Sequence, residues 1–281
     1  MHIDLKKELK SSGMGRIGII FVLSVIALAL LAPLITRYSP LEHSSTALIS
    51  PSMIHWLGTN HVGQDIWSQL LYGARTSLVV GLGAGILSLL LSIFFGVSAA
   101  LIGGIYDRAV MRIVDTIIII PMIVVIILAA AYIKPDLLVL IILISLMSWP
   151  AGSRIIRAQS LSIKQKEHIS ASRTFGGGRI YIALRHIMPD LAPIMLVEFI
   201  YGVRRAVFME AGLAFLGIGD PMLVSWGSMM HDALRFSYLN VWQWWLLPAG
   251  AALSITIIGL TFISHAAESV IDPRLRGAEI A

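Results

Sequence analysis

The amino-acid sequence predicts an all-α, polytopic membrane protein with six transmembrane helices. Of its 281 residues, 57% are hydrophobic and only 13% are charged. A helix that crosses a hydrocarbon core of about 30 Å needs roughly 20 apolar residues in succession. Six stretches have this character: 17–35, 78–102, 113–133, 137–156, 191–216 and 242–263. They lack the alternation of apolar and polar residues that marks the strands of a membrane barrel, so a helical bundle is the predicted fold class.

Lysine and arginine residues predict the orientation of these helices. If the N-terminus is cytoplasmic, the inner segments hold 15 lysines and arginines and the outer segments hold four. By the positive-inside rule, we expect a multi-pass protein of the cytoplasmic (inner) membrane with both termini in the cytoplasm. The net charge of +5 is then a signal of topology in a lipid environment. It does not indicate nucleic acid as a partner.

The same signals divide the chain. The predicted parts are a charged cytoplasmic lead (1–16), a first span (17–35), an external loop (36–77), a core of five further spans (78–267) and a cytoplasmic tail (268–281). The first span is longer than the apolar part of a cleaved signal peptide, so we interpret it as an uncleaved anchor. The external loop ends in apolar residues at helical spacing over 64–77, which predicts an interfacial helix with Trp56, Trp67 and Tyr72 at headgroup level.

Small residues and prolines within the spans predict how the helices pack and bend. Gly81 and Gly85 lie four residues apart and form a face that another helix can approach closely. Asp115 and Pro121 interrupt the third span, and Pro150 interrupts the fourth. Proline is tolerated within a span where neighbouring groups satisfy the freed carbonyl. We therefore expect kinked helices, which is compatible with spans that line a transport pathway.

The polar stretch 154–190, between the fourth and fifth spans, contains seven lysines and arginines on the predicted cytoplasmic side. Within it, the loop 157–190 is predicted to form a helix over 163–175, a break at Gly176, a second short helix, and an entry to the fifth span at Pro189. The first helix would offer Ile163, Ile169 and Phe175 to a groove of a partner protein. Because glycine accepts backbone angles that other residues resist, Gly176 is suited to the turn.

Motifs for chemistry on small molecules are weak. The spacing of Gly13, Gly15 and Gly18 matches a dinucleotide-binding motif, but a charged tail precedes it and no acidic residue follows at the required distance. The sequence has no phosphate-binding loop of the Gly-x-x-x-x-Gly-Lys type and no cysteine. His43, His55 and His61 lack the spacing of metal ligands. We expect no catalytic residue, no metal site and no cofactor in this chain, and a membrane enzyme is disfavoured.

Charged residues in the fifth span are candidates for the transport pathway. A charge in the middle of a span costs about 2.5–3.5 kcal/mol on insertion scales, so it faces protein or water and has a partner. Arg204 and Arg205 lie in this span, with Glu198 and Glu210 on either side. Two alternatives remain open. Either the arginines have a structural role, through an ion pair (Glu198 and Arg205 share a helical face) or by snorkelling to the interface, or one arginine faces the pathway and attracts a carboxylate-bearing substrate.

Four stretches together carry a resemblance to a known family. They are Ala171, Gly176 and Pro189 at the spacing of an "EAA" loop; 56–60 with 63–65 and 72–78; 210–217 with Trp226 and Gly227; and Asp272-Pro273-Arg274-Leu275-Arg276. The chain resembles the inner-membrane permease subunits of ATP-binding-cassette importers, in the dipeptide, oligopeptide and nickel group. It departs from the family pattern at Ser170, Ser172 and His186 of the loop and at Asn60, Gln64 and Gln69 of the external segment.

The resemblance implies a type I importer permease fold. It further implies a homologous second permease, two cytoplasmic ATPase subunits that bind ATP and Mg, and an external substrate-binding protein. The residues expected at the ATPase contact are Ile163, Lys166, Glu167, Ile169, Ala171, Arg173, Phe175, Gly176 and Pro189. ATP-driven closure of the ATPases would move the loop and, through the fourth and fifth spans, switch access to the pathway.

The cargo is less well predicted than the mechanism. Within the resembling group it is a dipeptide or longer peptide, nickel, or a metal–chelator complex, and we favour a peptide. A secondary transporter driven by an ion gradient is an alternative. It is disfavoured because the spans carry few ionisable groups (Asp115, Glu198, Arg204 and Arg205) and show no obvious repeat in their hydropathy.

Overall fold

The computed structural model describes residues 12–133 and 136–271. These residues form helices and connecting turns, without a β-strand in the described ranges. The helices are α1 (Gly13–Ile35), α2 (Ile66–Ile102), α3 (Gly104–Ile119), α4 (Met122–Tyr132), α5 (Leu137–Lys164), α6 (Glu167–Thr174), α7 (Arg179–Ile182), α8 (Met188–Phe215), α9 (Trp226–Arg235) and α10 (Leu246–Ile271). A π-helical turn, Ala183–Ile187, joins α7 to α8, and a 3₁₀ turn, Asn240–Gln243, precedes α10. The start of the predicted lead and most of the predicted tail, including Asp272-Pro273-Arg274-Leu275-Arg276, lie outside the described residues.

The membrane-spanning pattern agrees with the prediction, with one span broken where proline was expected to interrupt it. Five helical units are each long and apolar enough to cross a membrane: α1, α2, α5, the α7–α8 unit and the unit that ends in α10. The third predicted span, 113–133, is interrupted at Pro121 as expected, and there α3 and α4 meet at an angle of 83°. Proline disfavours helical geometry in the residue before it, and Ile120 is extended while Pro121 caps α4. Residues 12–133 and 136–271 therefore contain five candidate spans, or six if the bent pair counts as one.

α2 runs from the predicted external loop through the whole bundle. Its 37 residues correspond to a length of about 55 Å at 1.5 Å per residue, well beyond a hydrocarbon core. Asp65 begins the helix by accepting a hydrogen bond from the backbone N–H of Ser68 at 2.8 Å. The predicted helix over 64–77 is helical from Ile66 onward and leads without a break into the second span, as the first turns of α2.

The external loop before α2 is held by buried polar contacts. His55 Nδ1 lies 2.8 Å from Asp65 Oδ1, and both side chains are almost fully buried. The family departures form a network of neutral amides, in which the side chains of Asn60 and Gln69 each donate to Gln64 Oε1 at 2.8 Å. Amide–amide hydrogen bonds thus hold Asn60, Gln64 and Gln69 together.

Close approach between helices places α2 at the centre of the bundle, against α5 and α8. A Cβ atom at Gly81 would lie 2.4 Å from Val207 Cγ2, and one at Gly85 would lie 2.6 Å from Val203 Cγ2. These distances confirm the prediction of a small face on this span. On the inner half, a Cβ at Gly96 would lie 2.8 Å from the carbonyl oxygen of Ser153 in α5.

α1 lies at the edge of the bundle and packs against α10. Pro33 has no N–H, so the carbonyl of Ala29 loses its usual helical donor. Arg75 of α2 supplies a replacement, since its Nε donates to Ala29 O at 2.6 Å. This polar contact joins the first span to the outer half of α2.

Candidate functional site

The inner polar loop forms a compact turn between α5 and α8. α5 ends at Lys164, the chain turns at Gln165, and α6 begins at Glu167. The predicted helix over 163–175 is therefore wrong at its start, because Ile163 belongs to α5. Gly176 has φ +85°, and the N–H of Gly177 donates to Ser172 O at 2.9 Å. This is a Schellman ending, and it confirms the prediction that glycine makes the turn after α6.

A buried cluster anchors α6 to the ends of the membrane helices. Ile169 is fully buried, as is Ile187, while Ile163 is 5% exposed. They pack with Val97, Ile156, Ile182 and Leu191, which come from α2, α5, α7 and α8. Ile163 and Ile169 are thus interior residues of this chain, and they are not available as the exposed apolar contacts that the pattern predicted. Their position fixes α6 to three long helices.

An exposed apolar patch remains on the outer side of the same loop. We define the docking patch as Phe175, Ile180, Tyr181 and Leu184, of which Phe175 is 90% exposed. Among the other predicted contact residues, Lys166, Glu167, Ala171, Arg173, Gly176 and Pro189 are exposed. Arg173, Arg179 and Arg185 are exposed beside the patch. Exposed apolar side chains bordered by cations suit a partner surface with an apolar groove and an acidic rim.

Two lysine side chains hold the loop in place, and the groups that they bind were not predicted. Lys166 Nζ lies 2.7 Å from Asp190 Oδ2. Lys164 Nζ donates to the carbonyl oxygen of Ala100, near the end of α2, at 2.7 Å. The sequence pattern drew attention to the basic residues. Lys166 and Asp190 are 24 positions apart, so only the tertiary fold shows that they meet.

The charged residues of α8 separate into different environments. No ion pair joins Glu198 to Arg205 within the described part of the chain, so the ion-pair alternative is wrong. Arg204 Nη1 donates to Thr261 Oγ1 at 3.1 Å, and its guanidinium lies 4.7 Å from the centre of the Tyr201 ring. Arg205 is exposed, and its Nη1 donates to the carbonyl oxygen of Ser148 at the long distance of 3.5 Å. Arg204 is therefore bound within the chain, whereas Arg205 remains a candidate for the pathway.

Glu210 lies far from the loop, at the opposite end of α8. It is 3% exposed, and Ser77 Oγ donates to its Oε2 at 2.9 Å. It lines a cavity of about 360 Å³, which we call the outer cavity. The polar residues of this lining include Gln64, Gln69, Thr76, Glu210, Asp220, Ser225, Ser228, His231, Asp232 and Arg235.

The wall of the outer cavity depends on the way α8 ends. Gly217 has φ +80°, and the N–H of Ile218 donates to Leu213 O at 2.9 Å, which is a second Schellman ending. The chain then turns back to α9, whose first turn has a capping box between Ser225 and Ser228. Glu210 was a sequence candidate, but the cavity was missed because α2, α5, α8 and α9 each supply part of it.

Comparisons with known proteins agree with this architecture. Residues 92–277 match the family described as binding-protein-dependent transport system inner membrane component. The chain is 32% identical over 278 residues to the oligopeptide transport system permease protein OppC of Bacillus subtilis, a match that covers 97% of this chain and 90% of that protein. It is 30% identical to the dipeptide transport system permease protein DppC of the same organism, over 97% and 86% of the two chains. It is 34% identical to a peptide permease protein of Brucella suis, over 92% and 86%.

Proposed function

Because this chain belongs to the family of binding-protein-dependent transport system inner membrane components, we propose that it forms half of the membrane pathway of an ATP-driven importer of short peptides. A homologous permease supplies the other half. Two cytoplasmic ATPase subunits bind ATP and Mg, and an external binding protein delivers the cargo. The chain itself carries out no bond chemistry. Both of its termini are cytoplasmic, in accord with the distribution of lysine and arginine.

The cargo class rests on the relatives. The similar proteins are named for oligopeptide, dipeptide or peptide transport, and they match over almost the whole chain. These names favour peptides over the nickel or metal–chelator cargo that the sequence left open. They do not distinguish a dipeptide from a longer peptide.

The inner loop supports the coupling mechanism. The docking patch meets the ATPases, with Lys166, Glu167, Ala171, Arg173, Gly176 and Pro189 around it. Ile169 is buried against residues of α2, α5 and α8, so a displacement of α6 is passed to those helices as a packed unit. ATP-driven approach of the two ATPases then changes the tilt of the membrane helices and switches access between the two sides. This buried connection is the single structural observation that carries the mechanism.

The decisive experiment uses the intact transporter. A tag on this chain isolates the complex from membranes, and mass spectrometry identifies its subunits. The complex is then reconstituted into liposomes, and the binding protein is added on the external side of the permease. Uptake of di- and tripeptides is measured with ATP on the side of the membrane that carries the ATPases. We expect uptake only with hydrolysable ATP. Uptake that follows an imposed ion gradient in the absence of ATP would overturn the proposal in favour of a secondary transporter.

A further inference from the structure

The outer cavity, we propose, is a binding site for the free ammonium group of a short peptide, and Glu210 is the residue that binds it. The inference rests on the proposed function, since it names the chemical group of the cargo that this chain recognises. It assigns to the permease a selectivity of its own, separate from that of the external binding protein.

The size and construction of the cavity fit one end of a peptide. Its volume of about 360 Å³ is near the lower end of the roughly 300–1,000 Å³ typical of ligand sites. Four helices, the segment 217–225, and Leu41 and Gln64 of the external loop form its wall, so more than half of the lining belongs to helices. A space of this size holds one or two residues of a peptide, with the remaining chain outside.

Glu210 is the deepest charged group of the lining. It is 3% exposed, yet no lysine, arginine or histidine nitrogen of the described residues lies within ion-pair distance of it. A carboxylate removed from water without a cation carries a penalty of several kcal/mol. The hydroxyls of Ser77 and Ser225 donate to it, which leaves about half of its roughly four acceptor positions free. A cation that enters the cavity therefore gains a strong partner and relieves this penalty.

The remaining charges of the lining also favour a cation. Asp220 and Asp232 are half-buried at the cavity, and neither is in an ion pair with another described residue. Among the described residues of the lining, Arg235 is the one lysine or arginine, and it is exposed. Within that set carboxylates outnumber cations, and a concave surface concentrates their field.

The chemistry of the neutral lining residues selects an ammonium group. An ammonium ion has three donors and can bind hydroxyl and amide oxygens as well as a carboxylate. Ser225, Ser228, Gln64 and Gln69 bring such oxygens to the same cavity. A bare transition metal would instead require a cluster of His, Cys, Asp or Glu, and none with three members occurs among the residues that the structure describes.

The test measures peptide binding to the purified permease–ATPase complex without the external binding protein. The probes are Ala-Ala and N-acetyl-Ala-Ala, which lacks the ammonium charge. In the wild type we expect acetylation to weaken binding at least tenfold. In Glu210→Gln, we expect Ala-Ala to bind as weakly as the acetylated peptide, while binding of the acetylated peptide is unchanged.

Two control variants separate recognition from folding. Glu42→Gln removes an exposed carboxylate outside the cavity lining and keeps an acceptor for the backbone N–H of Ser39, so it should bind Ala-Ala as the wild type does. Glu210→Asp keeps the charge and should retain a preference for the free ammonium. Unchanged Ala-Ala binding in Glu210→Gln, or equal binding of both probes to the wild type, would overturn the inference. If the wild-type complex still imports peptides with ATP, the proposed function survives that result; if it imports none, the proposed function itself fails.

Discussion

The guanidinium of Arg157 binds the carboxylate of Asp107 through two parallel hydrogen bonds, with Nε 2.5 Å from Oδ1 and Nη2 2.6 Å from Oδ2. The pair joins α5 to α3, the helix that precedes the bend at Pro121. The side chains are only 27% and 17% exposed, so water screens this contact less than a surface pair. α3 is thereby attached to the helix that leads into the inner loop.

Arg157→Lys should weaken this attachment, because a lysine ammonium cannot make the paired contact of a planar guanidinium. We expect a loss of about 1.5–2 kcal/mol, at the lower end of the range for hydrogen bonds to charged groups because lysine keeps one contact. Thermal unfolding of the purified complex measures it. Arg154→Lys is the matched control, since the Arg154–Asp115 pair joins the same helices but is about half exposed. Equal destabilisation by the two substitutions would contradict the inference that the less exposed Arg157–Asp107 pair is the stronger one.

Gly176→Ala should destabilise the turn after α6, because φ +85° costs an L-residue roughly 1–2 kcal/mol. The loop would open more often, so amide hydrogen exchange in α6 should become faster. Gly178→Ala is the matched control, since Gly178 has φ −70° and open space around its Cβ position. Faster exchange in both variants would show that the effect is not specific to the left-handed residue.

Ile169→Ala should uncouple ATP hydrolysis from transport. Removal of a fully buried isoleucine side chain costs about 2–5 kcal/mol and leaves a void between α6 and the membrane helices. We expect the complex to assemble and hydrolyse ATP but to import less peptide for each ATP. The ratio of uptake to phosphate release measures this directly. A normal ratio would show that α6 transmits motion by another contact.

Phe175→Ala should weaken the binding of the ATPase subunits without destabilising the permease. Phe175 is 90% exposed, so its removal leaves the fold intact but takes an apolar group from the docking patch. We expect a smaller yield of ATPase subunits in the purified complex, with no change in the stability of the permease. Tyr238→Ala, at another exposed aromatic residue, is the control. Full retention of the ATPases by the Phe175 variant would show that Phe175 does not contribute to the contact.

Arg205→Gln should lower peptide uptake without lowering the yield of the complex. Arg205 is exposed and its one hydrogen bond is long, so its charge is available to the carboxylate of a cargo. Arg204→Gln should instead lower the stability, because Arg204 binds Thr261 and lies over Tyr201. Peptide uptake at the wild-type rate in Arg205→Gln would exclude a pathway role.

Local chemistry made part of this structure predictable. The apolar runs located five spans, and the turn at Gly176 followed from the conformational freedom of glycine. The packing of Gly81 and Gly85 followed from their spacing on one helical face. In each case the signal lies within a few neighbouring residues of the chain.

The other features depend on residues that are distant in sequence. Pro121 predicted an interruption of the third span, but the 83° angle depends on what α3 and α4 pack against. The partner of Arg157 is 50 positions away, and Ile169 is buried by residues of several other helices. The outer cavity likewise exists only between elements, so no single stretch of sequence carried a signal for it.

The continuity of α2 has a mechanical consequence. With no break between Ile66 and Ile102, the helix behaves as a single lever whose outer arm begins at the capped Asp65 and whose inner arm is held by Lys164 near Ala100. A tilt at one end produces an opposite displacement at the other. The arrival of cargo outside and the closure of the ATPases inside would then both act on α2. Each event would therefore favour the other, and no additional element would be needed to couple them.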